Sequence, residues 1–233
     1  MSIVSSEPLM IRSAEDQVYE VLRDQIVHGL APHTKLPLNQ IAASLAVSTL
    51  PVRVALRRLE VEGLVSTLPR RGSRVAPLRV EDIEEVQLMR CGLEGLAART
   101  GAPNVDDEGL RQMREELALL KKAMADKDID SYVVHLRAFE NICYEASGWP
   151  RLLRLIEDLR LSAERYLRIA IAGGSDSVVT SKVWDRFYEA VEAKDGEAAE
   201  SSLNDALMWT SSWIREYLAR DQARPSSSGP SSP

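Results

Sequence analysis

Apolar side chains recur every three or four residues along most of this chain, the period of an amphipathic helix. Val18, Leu22 and Ile26 mark a first helix over about residues 14–29, with Gly29 as its stop. After a turn at Ala31-Pro32-His33-Thr34, the positions Leu38, Ile41, Ala42 and Leu45 give a short second helix. Ser48 can cap a third, in which Pro51 is tolerated in the first turn and Val52, Ala55, Leu56 and Leu59 form the inner face; Gly63 ends it. Residues 64–68 and 73–76 then read as two short strands around Pro69-Arg70-Arg71-Gly72, a hairpin with glycine in its turn. Three helices and a two-stranded ribbon predict a winged helix-turn-helix domain over residues 1–78, with residues 1–13 expected to be flexible.

From residue 82 to 222 the pattern is helical throughout, with a linker expected at 79–81. Six stripes are traced by Ile83, Met89 and Leu96, by Met113, Leu117 and Leu120, by Tyr132, Leu136 and Phe139, by Leu152, Ile156 and Ala163, by Trp184, Phe187 and Val191, and by Leu203, Leu207 and Trp213. Short connections between such helices predict an antiparallel all-α bundle. The fold class expected is therefore mainly α, in two domains. Gly173-Gly174 should stop the fourth helix of the bundle. Residues 223–233, rich in Pro and Ser, should be a disordered tail.

Composition narrows the function classes. No apolar run approaches the roughly 18 residues of a membrane-spanning helix, and the first 15 residues have neither the basic start nor the apolar core of a secretory signal. Cys91 and Cys143 both lie on helical apolar patterns, so a disulfide framework is excluded and a reducing, cytoplasmic location is expected. No G-x-S-x-G, phosphate loop, H-E-x-x-H or Cys-His pair at motif spacing is present, so no enzyme is expected. The net charge of −6 is unevenly divided: residues 1–78 hold nine Lys and Arg against seven Asp and Glu (+2), the remainder twenty against twenty-eight (−8). Arg53, Arg57, Arg58, Arg70, Arg71 and Arg74 face only Glu60 and Glu62 in their stretch. Such a local field points to a polyanionic partner, although arginines on an exposed helix are also commonly a solvated face.

The stretch Pro51-Val52-Arg53-Val54-Ala55-Leu56-Arg57-Arg58-Leu59-Glu60-Val61-Glu62-Gly63-Leu64-Val65, with Ile26-Val27-His28-Gly29 before it and Arg71-Gly72-Ser73-Arg74-Val75 after it, resembles the GntR family of bacterial transcription regulators. In the second half, Arg90-Cys91-Gly92-Leu93-Glu94 and the block from Glu145 to Leu153 resemble its FadR-like branch, whose second domain is an all-helical FCD domain for effector binding and dimerisation. The resemblance spans about residues 14–220. It implies a homodimer on a palindromic duplex operator, acting as a repressor released by a metabolite.

The chemistry of the first half suits that reading. A helix beginning at Ser48 can enter a major groove by its N-terminal end. Thr49, Leu50 and Arg53 lie at that end, and Arg57, one turn on, suits phosphates. Arg70 and Arg71 at the hairpin tip suit the adjacent minor groove, with Gly72 permitting close approach. Two positions depart from the family: Thr49 and Val54 stand where many members carry arginine and glutamate, so an altered operator is expected.

Many members hold a divalent metal in the second domain. Aligned on Phe139 and on Ala146-Ser147-Gly148, and again on residues 190–195, the ligand positions fall on Leu136, Glu140, Trp184 and Ala206. One carboxylate cannot replace three or four convergent ligands, so neither metal nor other cofactor is expected. The candidate effector residues are Arg90, Leu136, Glu140, Asn141, Trp184, Tyr188 and Ala206, with Arg90 as a clamp for a carboxylate or acyl-type metabolite. Each has a plainer reading: Arg90 and Glu94 form an i,i+4 pair, and Trp184 and Tyr188 serve as core. The alternative is a constitutive DNA-binding protein whose cavity is plugged by Trp184.

Overall fold

A computed structural model describes residues 13–172 and 177–222, and the side chains among them outside 169–181 and 220–222. The tail at 223–233, the Gly173-Gly174 stop and residues 1–12 lie outside the described residues. Ser13, placed above in the flexible start, instead caps the first helix: its Oγ accepts the Asp16 N–H at 3.1 Å. Among the described residues no helix is long and apolar enough to cross a membrane.

The chain divides into two compact units at Pro77/Leu78. In the first, helix α1 (Ala14–His28) is followed by strand β1 (Lys35–Leu36), α2 (Leu38–Ser44), α3 (Thr49–Val61), β2 (Val65–Leu68) and β3 (Gly72–Val75). Val18, Leu22 and Ile26 pack with Val52, Ala55, Leu59, Leu64 and Val75 into one core. Between α2 and α3 the chain turns at Ala46, in the left-handed region at φ +53°, and Val47 donates to the Ala42 carbonyl at 3.0 Å. Gly63 ends α3 at φ +73°; its N–H reaches Glu60 O and that of Leu64 reaches Leu59 O, so these two carbonyls at the end of the helix are satisfied.

Two details depart from expectation. The ribbon has three strands, in the order β1-β3-β2: Lys35 and Leu36 pair antiparallel with Arg74 and Ser73, while Val65 to Leu68 pair with Val75 to Gly72. Two residues are too few for an alternating pattern, which is why β1 left no signal. Ser48 occupies the N-cap of α3 but makes no side-chain cap bond. An N-cap hydroxyl bonds the second or third amide of its helix, and the third residue here is Pro51, which has no N–H to offer.

The second unit holds α4 (Val80–Gly101), a 3-10 turn (Ala102–Asn104), α5 (Asp107–Asp126), α6 (Ile129–Glu145), α7 (Pro150–Ala172), α8 (Ser177–Glu192) and α9 (Gly196–Gln222). The linker expected at 79–81 is not open chain: Arg79 is the N-cap of α4, and Val80 and Glu81 are in its first turn. Met89, counted above on the inner stripe of this helix, is exposed with Leu88, and the buried face, besides Ile83, Ala97 and Ala98, includes the polar residues Gln87, Arg90 and Glu94. Phe139, Trp184 and Phe187 meet edge to face, with ring centroids 5.6–6.4 Å apart, at the centre of the main core. Gly101 and Gly196 allow helix ends to touch: a Cβ on either would lie 1.9 Å from Cys143 O or 2.2 Å from Arg99 O.

Candidate nucleic-acid interface and buried ionic cluster

The inner face of α3 is buried through Val52, Ala55, Leu56 and Leu59, which leaves Thr49, Leu50, Arg53, Val54 and Arg57 exposed on its outer side. Between this helix and the sheet runs a groove of about 400 Å³ whose walls include Lys35, Arg53, Arg57, Arg71 and Gly72. Four of the residues expected at a DNA surface are thus brought together. Ser48, Thr49 and Leu50 lie at the exposed N-terminal end of α3 and do not line the groove.

Arg70 sits at the hairpin tip with φ +63°, in a turn closed by the Arg71 N–H on Leu68 O at 3.0 Å. A left-handed arginine is disfavoured by about 1–2 kcal/mol. The glycine expected in the turn stands just after it, Gly72 being the first residue of β3 at φ +74°.

Both acids in this stretch are engaged inside the domain. Glu60 Oε1 accepts the Thr67 N–H at 3.0 Å, tying α3 to the ribbon. Glu62 accepts the Tyr19 hydroxyl at 2.9 Å and Arg58 Nε at 3.3 Å, and the Arg58 guanidinium lies 3.7 Å from the centroid of the Tyr19 ring. Burial and then the Glu62 charge push the Tyr19 phenol up to about 12. Arg58 is therefore held by Tyr19, Glu62 and Asp16. Among the described residues, Lys35, Arg53, Arg57, Arg70 and Arg71 have no acidic partner within ion-pair distance. Uncompensated cations around a groove attract an anionic polymer.

The helical unit encloses a different ionic cluster. Arg160 on α7 donates to Glu94 on α4 at 3.2 Å, to Asn141 at 2.7 Å and to Glu140 on α6. Arg90 donates to Glu94 at 2.5 Å and to Gln87 at 3.0 Å, and the Tyr144 hydroxyl donates to Glu94 at 3.0 Å. Burial raises the Glu94 carboxyl, but Arg90 and Arg160 outweigh it and hold the group below its ordinary value. Glu140 goes the other way: burial, reinforced by the Glu94 charge and only partly offset by Arg160, raises it to about 7. Its Oε1 is buried without a hydrogen-bond partner among the described residues. Beside the cluster is a cavity of about 30 Å³, the room taken by one or two water molecules.

Comparisons with known proteins agree along both units. Residues 14–75 match the bacterial regulatory proteins of the gntR family, and residues 85–207 match the FCD domain. The chain belongs to the GntR family, with an FCD domain. It is 25% identical over 201 residues to the HTH-type transcriptional repressor RspR of Escherichia coli, covering 86% of this chain and 88% of RspR. A probable D-xylose utilization operon transcriptional repressor of Paenarthrobacter nicotinovorans is 29% identical, with 82% and 86% covered. The fold is that of E. coli McbR/YncC, at TM-score 0.75 and 23% identity over 89% of this chain and all of that one. GntR-family proteins with this architecture are DNA-binding transcription regulators and not enzymes.

Within the FCD domain, Arg90, Leu136 and Glu140 do line one cavity, together with Arg137, Arg160 and Glu164. The other expected effector residues do not. Asn141 accepts from Arg160; Trp184 and Ala206 are core, and the Tyr188 hydroxyl lies between Arg114 and Glu192, 3.1 and 3.0 Å away. The plainer reading of Trp184 and of the Arg90–Glu94 pair is the one observed. Among the described residues no three His, Cys, Asp or Glu side chains cluster as a metal would need. Arg160 does not appear on the apolar stripe traced by Leu152, Ile156 and Ala163. Its signal was there: Leu152, Ile156 and Arg160 step by four, which puts a charge where an aliphatic side chain belongs. Lys35 was missed with β1.

Proposed function

We propose that this regulator represses transcription by holding a palindromic operator as a homodimer, each copy placing the N-terminal end of α3 in a major groove and the hairpin tip in the minor groove beside it. The observation that carries the reading is the set of cations with no acidic partner among the described residues, Lys35, Arg53, Arg57 and Arg71 around the α3 groove and Arg70 at the hairpin tip, while both nearby acids are used internally. Ser48, Thr49 and Leu50 enter first, Arg53 reaches guanine or phosphate, and Arg57 and Lys35 sit on the backbone. Gly72 allows the hairpin to approach closely. Dimerisation is assigned to the helical domain, where Leu88 and Met89 are exposed on α4 and Gly92, one turn on, has nothing within 4 Å of its Cβ direction.

Nuclease protection on the DNA upstream of its own gene tests this. Two protected half-sites about one helical turn apart support it. Uniform protection, or none at low ionic strength, contradicts it.

Regulation is assigned to a small metabolite bound without metal at the Arg90–Glu140–Arg160 cluster. The cavity is too small for such a molecule as it stands, so binding requires Arg160 to exchange a carboxylate of the protein for one of the ligand. That same observation favours a second reading, constitutive DNA binding with the cavity plugged, the plug being the ionic cluster rather than Trp184. Thermal-shift screening of small carboxylates and acyl thioesters, with and without operator, separates the two.

A further inference from the structure

The outer face of α3 carries apolar side chains that the fold does not use. Leu50 is 63% exposed and Val54 39%. The inner stripe of the helix is complete without them, since Val52, Ala55, Leu56 and Leu59 already fill the core. Single exposed aliphatic residues are ordinary on protein surfaces. These two are distinguished by position. They stand one turn apart in the first two turns of the helix, and Arg53 and Arg57 follow each of them by three residues. Glutamine, asparagine or a charged residue there would offer hydrogen bonds to base edges; leucine and valine offer none.

In a major groove only one base feature rewards such a side chain. Guanine, cytosine and adenine present donors and acceptors, which an aliphatic group desolvates without replacing. Thymine also presents its 5-methyl group, whose burial against leucine or valine is favourable. We infer that Leu50 and Val54 are specificity-determining residues that read thymine methyl groups beside the base pair contacted by Arg53. The inference rests on the DNA-binding mode proposed above and extends it to the operator: each half-site carries a guanine with thymine next to it. Val61, also exposed, lies about 10 Å farther along the helix axis than Val54, away from the inserted end, and is outside the assignment.

The test uses the full-length protein and a random duplex library. After selection at low ionic strength, the enriched site is resynthesised with each thymine in turn replaced by deoxyuridine, which keeps the base pairing and removes only the methyl. At one or two positions beside the guanine, affinity should fall about fourfold, the worth of burying one methyl-sized group. Leu50→Ala and Val54→Ala, both at exposed positions, should remain folded and each erase the uracil penalty at one of those positions. Three results overturn the inference: enriched half-sites without thymine beside the guanine, deoxyuridine tolerated at every position, or penalties that persist in both variants. A library that yields no enriched duplex at all overturns instead the DNA-binding reading on which it rests.

Discussion

Arg160 and Glu94 face each other 3.2 Å apart inside the helical domain, and their side chains are 4% and 0% exposed. Neither charge reaches water, so each depends on the other and on the neighbours that complete the cluster. Arg160 also serves Glu140 and Asn141, and Glu94 also takes Arg90 and the Tyr144 hydroxyl. A buried pair of this kind adds little over an apolar pair of the same shape, but removing one member strands the other.

Arg160→Met should therefore destabilise the protein by about 3–5 kcal/mol, because two carboxylates lose their shared partner. Urea unfolding followed by circular dichroism measures this. Adding Glu140→Gln to the variant should recover part of the loss. An unchanged midpoint in Arg160→Met would mean that the cluster is not formed in solution.

The same cluster makes a pH dependence. Glu140 is raised when folded, from the ordinary carboxylate value to about 7. Between those two values the folded state binds the extra proton, so this group's contribution to stability is fully present below the unfolded value and is lost as pH rises through 7. Glu94 is lowered and acts oppositely, its contribution fading as pH falls. The difference in unfolding free energy between the parent and Glu140→Gln should thus drift against the parent from pH 5 to pH 7.5. A difference that stays constant over that range would contradict the assignment.

Arg53 and Arg58 stand five residues apart on α3 yet should behave differently. Arg58→Ala removes the guanidinium over Tyr19, a half-exposed ion pair to Asp16 and one to the mostly buried Glu62, a loss of about 1 kcal/mol in stability. Arg53→Ala touches no ion pair among the described residues and should leave the melting temperature unchanged. Differential scanning calorimetry of the two variants distinguishes them; equal melting losses would refute the division of labour.

Gly101 is where α4 passes against the end of α6. A methyl group there would sit 1.9 Å from Cys143 O, a backbone atom that cannot swing aside. Gly101→Ala should cost about 3 kcal/mol or more through overpacking, read as a lower denaturation midpoint. A midpoint within error of the parent would show that the two helices separate at little cost.

The helices and the recognition segment were legible because they depend on local rules: the four-residue step of Val18, Leu22 and Ile26, and the stop at Gly63, recur in the structure. What escaped depends on partners distant in sequence. Strand β1 exists only because β3 returns to pair with Lys35 and Leu36. Arg160 is intelligible only once α4 and α6 bring Glu94 and Glu140 to it, from 66 and 20 residues away. Trp184 and Ala206, expected at the effector cavity, are packed in the core, and nothing local distinguishes a residue that packs in a core from one that lines a cavity. At the DNA face, local spacing sufficed to gather Arg53, Arg57 and Arg71, but not to show that Glu60 and Glu62 are occupied elsewhere.

The most direct measurement is fluorescence anisotropy of a labelled duplex from the protein's own upstream region, titrated with parent and with Arg53→Ala across a series of salt concentrations. The parent should bind with a logarithmic affinity that falls steeply and linearly as salt rises, as expected when several phosphates are neutralised. Arg53→Ala should lose sequence-selective binding while retaining its fold. Equal binding by parent and variant, or none by the parent at low salt, would contradict the placement of α3 in the groove.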